Sequence, residues 1–234
     1  MKVLFDSSGK PHPSTYVSSC VAKREPNFAK AIQEITQSAE ASIDIHIFSR
    51  NAARLLVSSK MTRRGAFQGL RFVSGKIHDP NAILDRVWDA VGKPIVELKG
   101  LLVDTGCKKR SRMLIETPGP VMDKIAADLW SIFKKLLPVC MGVNNLGITA
   151  ASKILFSAFP EIALPVEKAQ WTKLFQTVDY SDIILTMRME VVEWENSIRK
   201  KLDECDPHSS TTLPVCYNAV ALEVAEGETI NGVD

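Results

Sequence analysis

The sequence predicts a mainly α-helical protein with a small mixed portion towards the N terminus. Apolar residues recur at three- and four-residue steps in several long segments, which places them on one face of a helix. Pro, Gly and capping residues separate those segments. With 234 residues, 45% of them hydrophobic and 24% charged, the chain is long and apolar enough to bury a substantial core, which excludes a disordered or collagen-like protein.

The sequence divides into four predicted portions. Residues 1–26 are rich in Ser, Pro and charge and predict an irregular N-terminal arm. Residues 27–116 form a basic portion of mixed structure, and residues 117–225 form a bundle of helices. Residues 226–234 form an acidic tail.

Local patterns in the basic portion predict a short strand followed by a short helix. Ile43, Ile45 and Ile47 alternate with polar residues, which favours a strand, although a helical turn is a competing interpretation. Residues 50–59 then predict a helix, and residues 61–80 predict a loop with short extended pieces.

The remaining helices are marked by amphipathic stripes. A helix is predicted from residue 79 to residue 91, where Gly92 and Pro94 end it, and residues 95–116 are ambiguous. In the bundle the predicted helices cover about 120–137, 149–159, 180–202 and 212–225.

Charge is distributed unevenly along the chain. Residues 1–119 carry 19 Lys and Arg against 11 Asp and Glu, a net charge of +8, whereas residues 120–234 carry 10 against 16, a net charge of −6. No acidic residue lies between Asp44 and Asp79. Such a basic run is typical of a surface that binds a polyanion, or of a face that pairs with the acidic half of the same molecule.

The sequence shows no targeting segment and no membrane span. The longest uncharged stretch, residues 136–152, contains Pro138 and two glycines. An odd number of widely spaced cysteines, five in all, predicts reduced thiols in a cytoplasm-like compartment. The sequence predicts no cofactor and no metal site.

Residues 137–167 carry the most specific pattern in the chain. They read as a helix end, a Gly-containing turn, a helix that begins with small residues, and a Pro-containing turn that ends at Glu167. A helix N terminus without bulky side chains presents free N–H groups, which suits a phosphate.

This segment resembles the helix-hairpin-helix DNA glycosylase superfamily over about thirty residues. Residues 147–151, Gly-Ile-Thr-Ala-Ala, are similar to the exit of the family's hairpin, and residues 164–167, Leu-Pro-Val-Glu, to its Pro-Val-Asp element. The 18 residues from Thr149 to Glu167 match the family's gap between hairpin lysine and catalytic acid. The segment departs from the family pattern in three ways. Glu167 replaces the Asp, the connection from Pro138 to Gly147 is longer, and Thr149 replaces the lysine.

The resemblance implies a glycosylase-like helical protein that binds duplex DNA, extrudes a base and cleaves its N-glycosidic bond. Glu167 would be the catalytic carboxylate, acting as acid/base or as electrostatic partner. Separately, the aromatic side chain of Trp171 is suited to stack on an extruded base in the base pocket. Because Thr149 replaces lysine, the implied activity is monofunctional, without strand cleavage. The residues implied in phosphate binding are Gly147, Ile148, Thr149, Arg63, Arg64, Lys108, Lys109 and Arg110.

Plainer interpretations of the same residues stay open. Glu167 is also suited to cap a helix that begins near Lys168, and Trp171 to pack inside the bundle. The alternative function is a non-catalytic helical module that binds a protein partner through helices 120–137 and 182–202.

Overall fold

The computed structural model describes residues 2–37, 42–107, 109–141, 147–206 and 211–227. Within those residues the protein has ten α-helices and a single antiparallel β-hairpin. The helices are α1 (Ser14–Ala22), α2 (Pro26–Gln37), α3 (Ile45–Ser58), α4 (Ile83–Asp104), α5 (Met113–Glu116), α6 (Gly119–Cys140), α7 (Gly147–Ala158), α8 (Lys168–Gln170), α9 (Tyr180–Ile198) and α10 (Leu213–Gly227). The hairpin strands are β1 (Arg71–Val73) and β2 (Lys76–His78). The predicted mainly helical class is confirmed.

Helix α7 lies at the centre of the fold. It packs against α3 and α6, and α6 packs in turn against α4 and α9. Every residue from Thr149 to Val166 is buried, including the turn that follows the helix. Lys153 is the only charged residue of α7, and a helix that is apolar on all sides is stable only when neighbours surround it.

The prediction of an irregular N-terminal arm is wrong. Residues Ser14–Ala22 form α1, and Leu4 is completely buried. The buried carboxylate of Glu190 on α9 accepts hydrogen bonds from the backbone N–H groups of Val3 and Leu4, at 2.7 and 3.0 Å. These contacts join residues nearly the whole chain apart, so no local pattern in residues 1–26 reveals them.

The predicted strand at residues 43–47 is also wrong, and the competing helical interpretation is correct. The Asp44 carboxylate accepts hydrogen bonds from the N–H groups of His46 and Ile47, both at 2.8 Å, and caps α3. The helix predicted for residues 50–59 therefore begins five residues earlier, at Ile45. Phe48, which is fully buried, occupies the core-facing side of its first turn.

Helix α4 continues through Gly92 and Pro94, where the sequence pattern predicted its end. The buried stripe of its first half extends through Ile95, Leu98 and Leu102, so burial outweighs the loss of one helical hydrogen bond. The Trp88 indole packs directly over Gly92, where a Cβ atom would lie 2.6 Å from the ring. Much of the ambiguous segment 95–116 is thus helical.

The other predicted elements are observed with small shifts at their ends. The loop at residues 61–80 contains the β-hairpin, and α6 passes Pro138 by two residues. Helix α9 ends at Ile198, and a 3-10 turn follows it at Leu202–Cys205. The five cysteines form no disulfide. In the part of the chain that the structure describes, no helix is long and apolar enough to cross a membrane.

The two glycines inside α4 should respond oppositely to substitution by alanine. Gly92→Ala should lower the free energy of unfolding by about 1–3 kcal/mol, because the new methyl group displaces the Trp88 ring. Gly100→Ala should raise it by about 0.5–1 kcal/mol, because nothing lies within 4 Å of the added Cβ and alanine favours the helix. Urea denaturation of both variants measures the difference, and equal effects would contradict the proposed packing of Trp88.

Candidate functional site

Glu167 and Lys153 form the ion pair around which the candidate site is built. The Lys153 Nζ atom lies 2.5 Å from Oε1 of Glu167. The Lys153 side chain is fully buried, whereas that of Glu167 is 34% exposed. Glu167 is also the N-cap residue of α8, so the capping role is real and coexists with the ion pair. The pair places a carboxylate at the protein surface and its counter-charge in the core.

The backbone before Glu167 is held by side chains from two neighbouring helices. On α7, the Ser152 hydroxyl accepts a hydrogen bond from the Val166 N–H at 3.1 Å. From α9, the Tyr180 hydroxyl accepts from the Leu164 N–H at 2.8 Å and donates to the Leu164 carbonyl at 2.7 Å. These bonds satisfy a buried, irregular segment that has no secondary structure of its own.

Gln170 fixes Glu167 itself. Its side-chain oxygen accepts a hydrogen bond from the Glu167 N–H at 2.6 Å, and its amide group donates to Asn218 on α10 at 2.9 Å. Both Gln170 and Asn218 are buried. Glu167 is therefore held at its backbone and at its carboxylate before any ligand arrives.

Glu167 lines a cavity of about 550 Å³. The cavity lies between the α1–α2 connection, the end of α3, α8 and α10, and Phe28 contributes an aromatic wall. Its basic lining residues are Lys23, Arg24, Lys60 and Lys168. Besides Glu167, its acidic lining residues are Glu25, Glu223 and Glu226. A volume in this range suits one small molecule or one nucleoside unit.

Lys153 lies behind the cavity wall. Its Nζ atom is 5.7 Å from the centre of the Phe28 ring. Burial lowers the pKa of Lys153 below its ordinary 10.5, and the Glu167 carboxylate opposes that shift. Chemically, the site presents a fixed carboxylate to the cavity, with a cationic or neutral amine directly beneath it.

The three residues predicted at the turn lie at the start of α7, and residues 142–146 fall outside the described residues. Gly147 is buried, and a Cβ atom there would lie 3.1 Å from the Met141 Cα. The close approach that the glycine permits is therefore to the end of α6. Ile148 is half-buried and Thr149 is buried. Their role in binding phosphate stays a prediction.

Trp171 lies in the core beside the candidate site. Its ring centre is 5.8 Å from that of Phe133 and 6.4 Å from that of Tyr180. The plainer interpretation of this residue, packing inside the bundle, matches its environment. Trp171 is not among the residues that line the Glu167 cavity, and its role in a base pocket stays a prediction.

The predicted phosphate-binding cations lie in different environments. Arg63, Arg64 and Lys109 are exposed, and Lys108 falls outside the described residues. Arg110 instead pairs with the buried carboxylate of Glu161. Arg110 thus already has an anionic partner inside the protein.

Ion pairs join the basic first half of the chain to the acidic second half. Arg24 pairs with Asp206 at 2.5 Å, and Lys23 pairs with Glu223 at 2.6 Å. The further pairs of this kind are Lys2–Glu193, Lys99–Glu161, Arg110–Glu161, Arg112–Glu195 and Arg112–Asp203. Part of the charge asymmetry therefore serves to hold the two halves of the fold together.

The sequence pattern predicted Glu167 as a site residue but not its partner Lys153. The signal was present, because Lys153 is the one charged residue in an otherwise apolar helix. A lysine in such a position is almost never fully buried without a partner. Lys153 and Glu167 are 14 residues apart, and a buried turn after α7 brings them together. Local periodicity does not predict the path of that turn.

No family model, curated protein or solved structure matches this chain. Within the residues that the structure describes, no group of three or more His, Cys, Asp or Glu side chains is placed to hold a metal ion.

The two members of the ion pair should differ in how much stability their removal costs. Glu167→Ala leaves a buried ammonium group without its counter-charge, so it should lower the free energy of unfolding by about 3 kcal/mol. This value is at the low end of the range for broken buried ion pairs because Glu167 is partly exposed. Lys153→Met removes the buried charge itself and should cost less. Urea denaturation at pH 7 compares the two, and a larger loss in Lys153→Met would contradict this assignment.

The stability of the protein relative to Lys153→Met should rise with pH. Because burial lowers the pKa of Lys153 in the folded state, the unfolded chain binds that proton more tightly below pH 10.5. Raising the pH towards 10.5 therefore increases the free energy of unfolding of the wild-type protein. The Lys153→Met variant lacks this amine and should not show that increase. Denaturation at pH 7, 8, 9 and 10 gives the difference. Lys168→Met, at an exposed lysine of the same site, should run parallel to wild type.

Proposed function

We propose that this chain is a nucleic-acid-binding protein whose Glu167 cavity accepts an extruded base, and that it acts as a monofunctional base-excision glycosylase. The observation that carries the proposal is a carboxylate, fixed by Lys153 and Gln170, on the wall of a cavity of about 550 Å³. The resemblance of residues 137–167 to the helix-hairpin-helix glycosylases supports the same assignment for Glu167.

The proposed reaction needs little more than a well-placed negative charge. Cleavage of an N-glycosidic bond develops positive charge on the sugar as the base departs with the bonding electrons. The Glu167 carboxylate stabilises that charge and accepts a proton from the attacking water, whose oxygen forms the new bond to the sugar. The Lys153 ammonium holds the Glu167 carboxylate in position through the ion pair.

The cavity adjoins a basic surface that suits a polyanion. Lys60 lines the cavity and lies within the segment between Asp44 and Asp79 that contains no acidic residue. Arg63, Arg64, Arg71 and Lys76 in this segment are exposed. Phosphates bound along this segment would bring a neighbouring nucleotide to the cavity entrance.

The alternative, a non-catalytic module that binds a protein partner, receives less support. The apolar faces of α6 and α9 are buried inside the fold, with Leu129, Phe133, Met187 and Val191 all inaccessible. These are the faces on which the alternative depends. The two functions differ in their response to salt, because release of counterions from DNA makes its binding steeply salt-dependent.

Base release tests the proposed activity directly. Duplex oligonucleotides that contain uracil, oxidised bases or alkylated bases are incubated with the protein, and free base is measured. We expect release of at least one base without strand cleavage, and loss of release by at least about a hundredfold in Glu167→Gln, in line with removal of a charge-stabilising group. Glu223→Gln, at another carboxylate of the same cavity, should retain activity.

The double variant Lys153→Met/Glu167→Gln separates chemistry from folding. It removes both charges of the pair, so it should fold, bind duplex DNA with the wild-type salt dependence and release no base. Activity in this variant would overturn the role of Glu167. Failure of the wild-type protein to release any base from the panel would end the enzymatic proposal, and duplex binding without salt dependence would end the nucleic-acid proposal.

A further inference from the structure

The β-hairpin presents one fully exposed face. Arg71 pairs across the strands with His78, and Val73 pairs with Lys76, so these four side chains share one side of the ribbon. All four residues are exposed, and Val73 is 63% exposed. Packing inside the protein does not explain why an exposed valine lies among these cations.

The opposite face and the turn hold the ribbon in place. Phe72 packs against the core, and the Arg54 guanidinium lies 4.9 Å from the centre of its ring. The strands are joined by Ser74 and Gly75, with φ angles of 51° and 78°, which is the tight two-residue turn that matches the twist of a hairpin. The exposed face is therefore presented on a rigid support.

The cations around the hairpin are not neutralised by the protein. Among the described residues, no ion pair joins Arg63, Arg64, Arg71 or Lys76 to a carboxylate. In contrast, Arg54 at the base of the hairpin pairs with Glu34 at 3.2 Å. The positive charge at the hairpin is left available to an external anion.

We propose that the β1–β2 hairpin enters a groove of duplex DNA, with Val73 against the base edges and Arg71 and Lys76 against the flanking phosphates. This inference rests on the nucleic-acid part of the proposed function and not on its chemistry. A two-stranded ribbon has the width that the major groove admits, and an apolar side chain beside its turn can contact base edges or the thymine methyl group. Arg63 and Arg64, on the preceding 3-10 turn, add phosphate contacts.

The charged contacts are tested by the salt dependence of binding. The dissociation constant of a fluorescent 20-base-pair duplex is measured by anisotropy across a range of NaCl concentrations. Arg71→Ala/Lys76→Ala should bind about tenfold or more weakly at low salt, and the slope of log K against log salt should fall by about two, one for each lost phosphate contact. The control Lys93→Ala/Lys124→Ala removes two exposed lysines of α4 and α6 and should match wild type.

The apolar contact is tested at Val73. Val73→Ser should weaken duplex binding severalfold while the salt slope stays at the wild-type value, because no charge is lost. Val178→Ser is the matched control, since Val178 is 67% exposed and belongs to the segment before α9, outside the hairpin. It should bind as wild type does.

The outcomes separate this inference from the proposed enzymatic activity. If the wild-type protein binds the duplex and the hairpin variants bind it more weakly as described, the inference is supported even where no base is released. Base release together with unchanged binding by the hairpin variants overturns the inference and leaves the activity standing. Binding to vesicles of phosphatidylserine and phosphatidylcholine in place of the duplex also overturns it.

Discussion

The Lys153–Glu167 ion pair is the constraint on which the centre of the molecule depends. An ammonium group in the middle of a buried helix is tolerated only when an opposite charge reaches it, and Glu167 supplies that charge from the surface end of the following turn. The turn before Glu167 must therefore lie against α7 at the position where the Glu167 carboxylate reaches Lys153. The bonds from Ser152 to Val166 and from Tyr180 to Leu164 keep it there. Stability and the presentation of the carboxylate have the same origin.

Two uses of positive charge explain why the first half of the chain is so basic. One set of cations, such as Arg24 and Arg112, meets carboxylates of the second half and joins the two halves. In such pairs each charge has a partner of opposite sign inside the protein. The cations of residues 60–76 meet no carboxylate among these pairs, so they contribute uncompensated positive charge at the hairpin.

The sequence predicted those elements whose information is local. Amphipathic stripes identified α6 and α9, and a capping residue followed by Pro214 identified the start of α10, because these signals lie within the residues of each helix. Prediction failed where distant contacts decide. Residues 3 and 4 are held by hydrogen bonds to Glu190, which is far from them in sequence. Helix α4 continues past Pro94 because its second half packs in the core. At the site, the acidic residue followed from a short motif, but its partner and the cavity required three dimensions, since α1, α3, α8 and α10 build the cavity together.

The charge balance inside the cavity indicates which part of a ligand belongs there. Four basic and four acidic residues line it, and Lys23 and Glu223 already neutralise each other. A phosphate would meet as much repulsion as attraction in such a place, whereas an uncharged ring with hydrogen-bonding edges would meet little of either. A phosphate is better accommodated at the exposed cations of the hairpin. A nucleic acid divides in the same way, into neutral bases and charged backbone, and the proposed function assigns the bases to the cavity and the backbone to the hairpin.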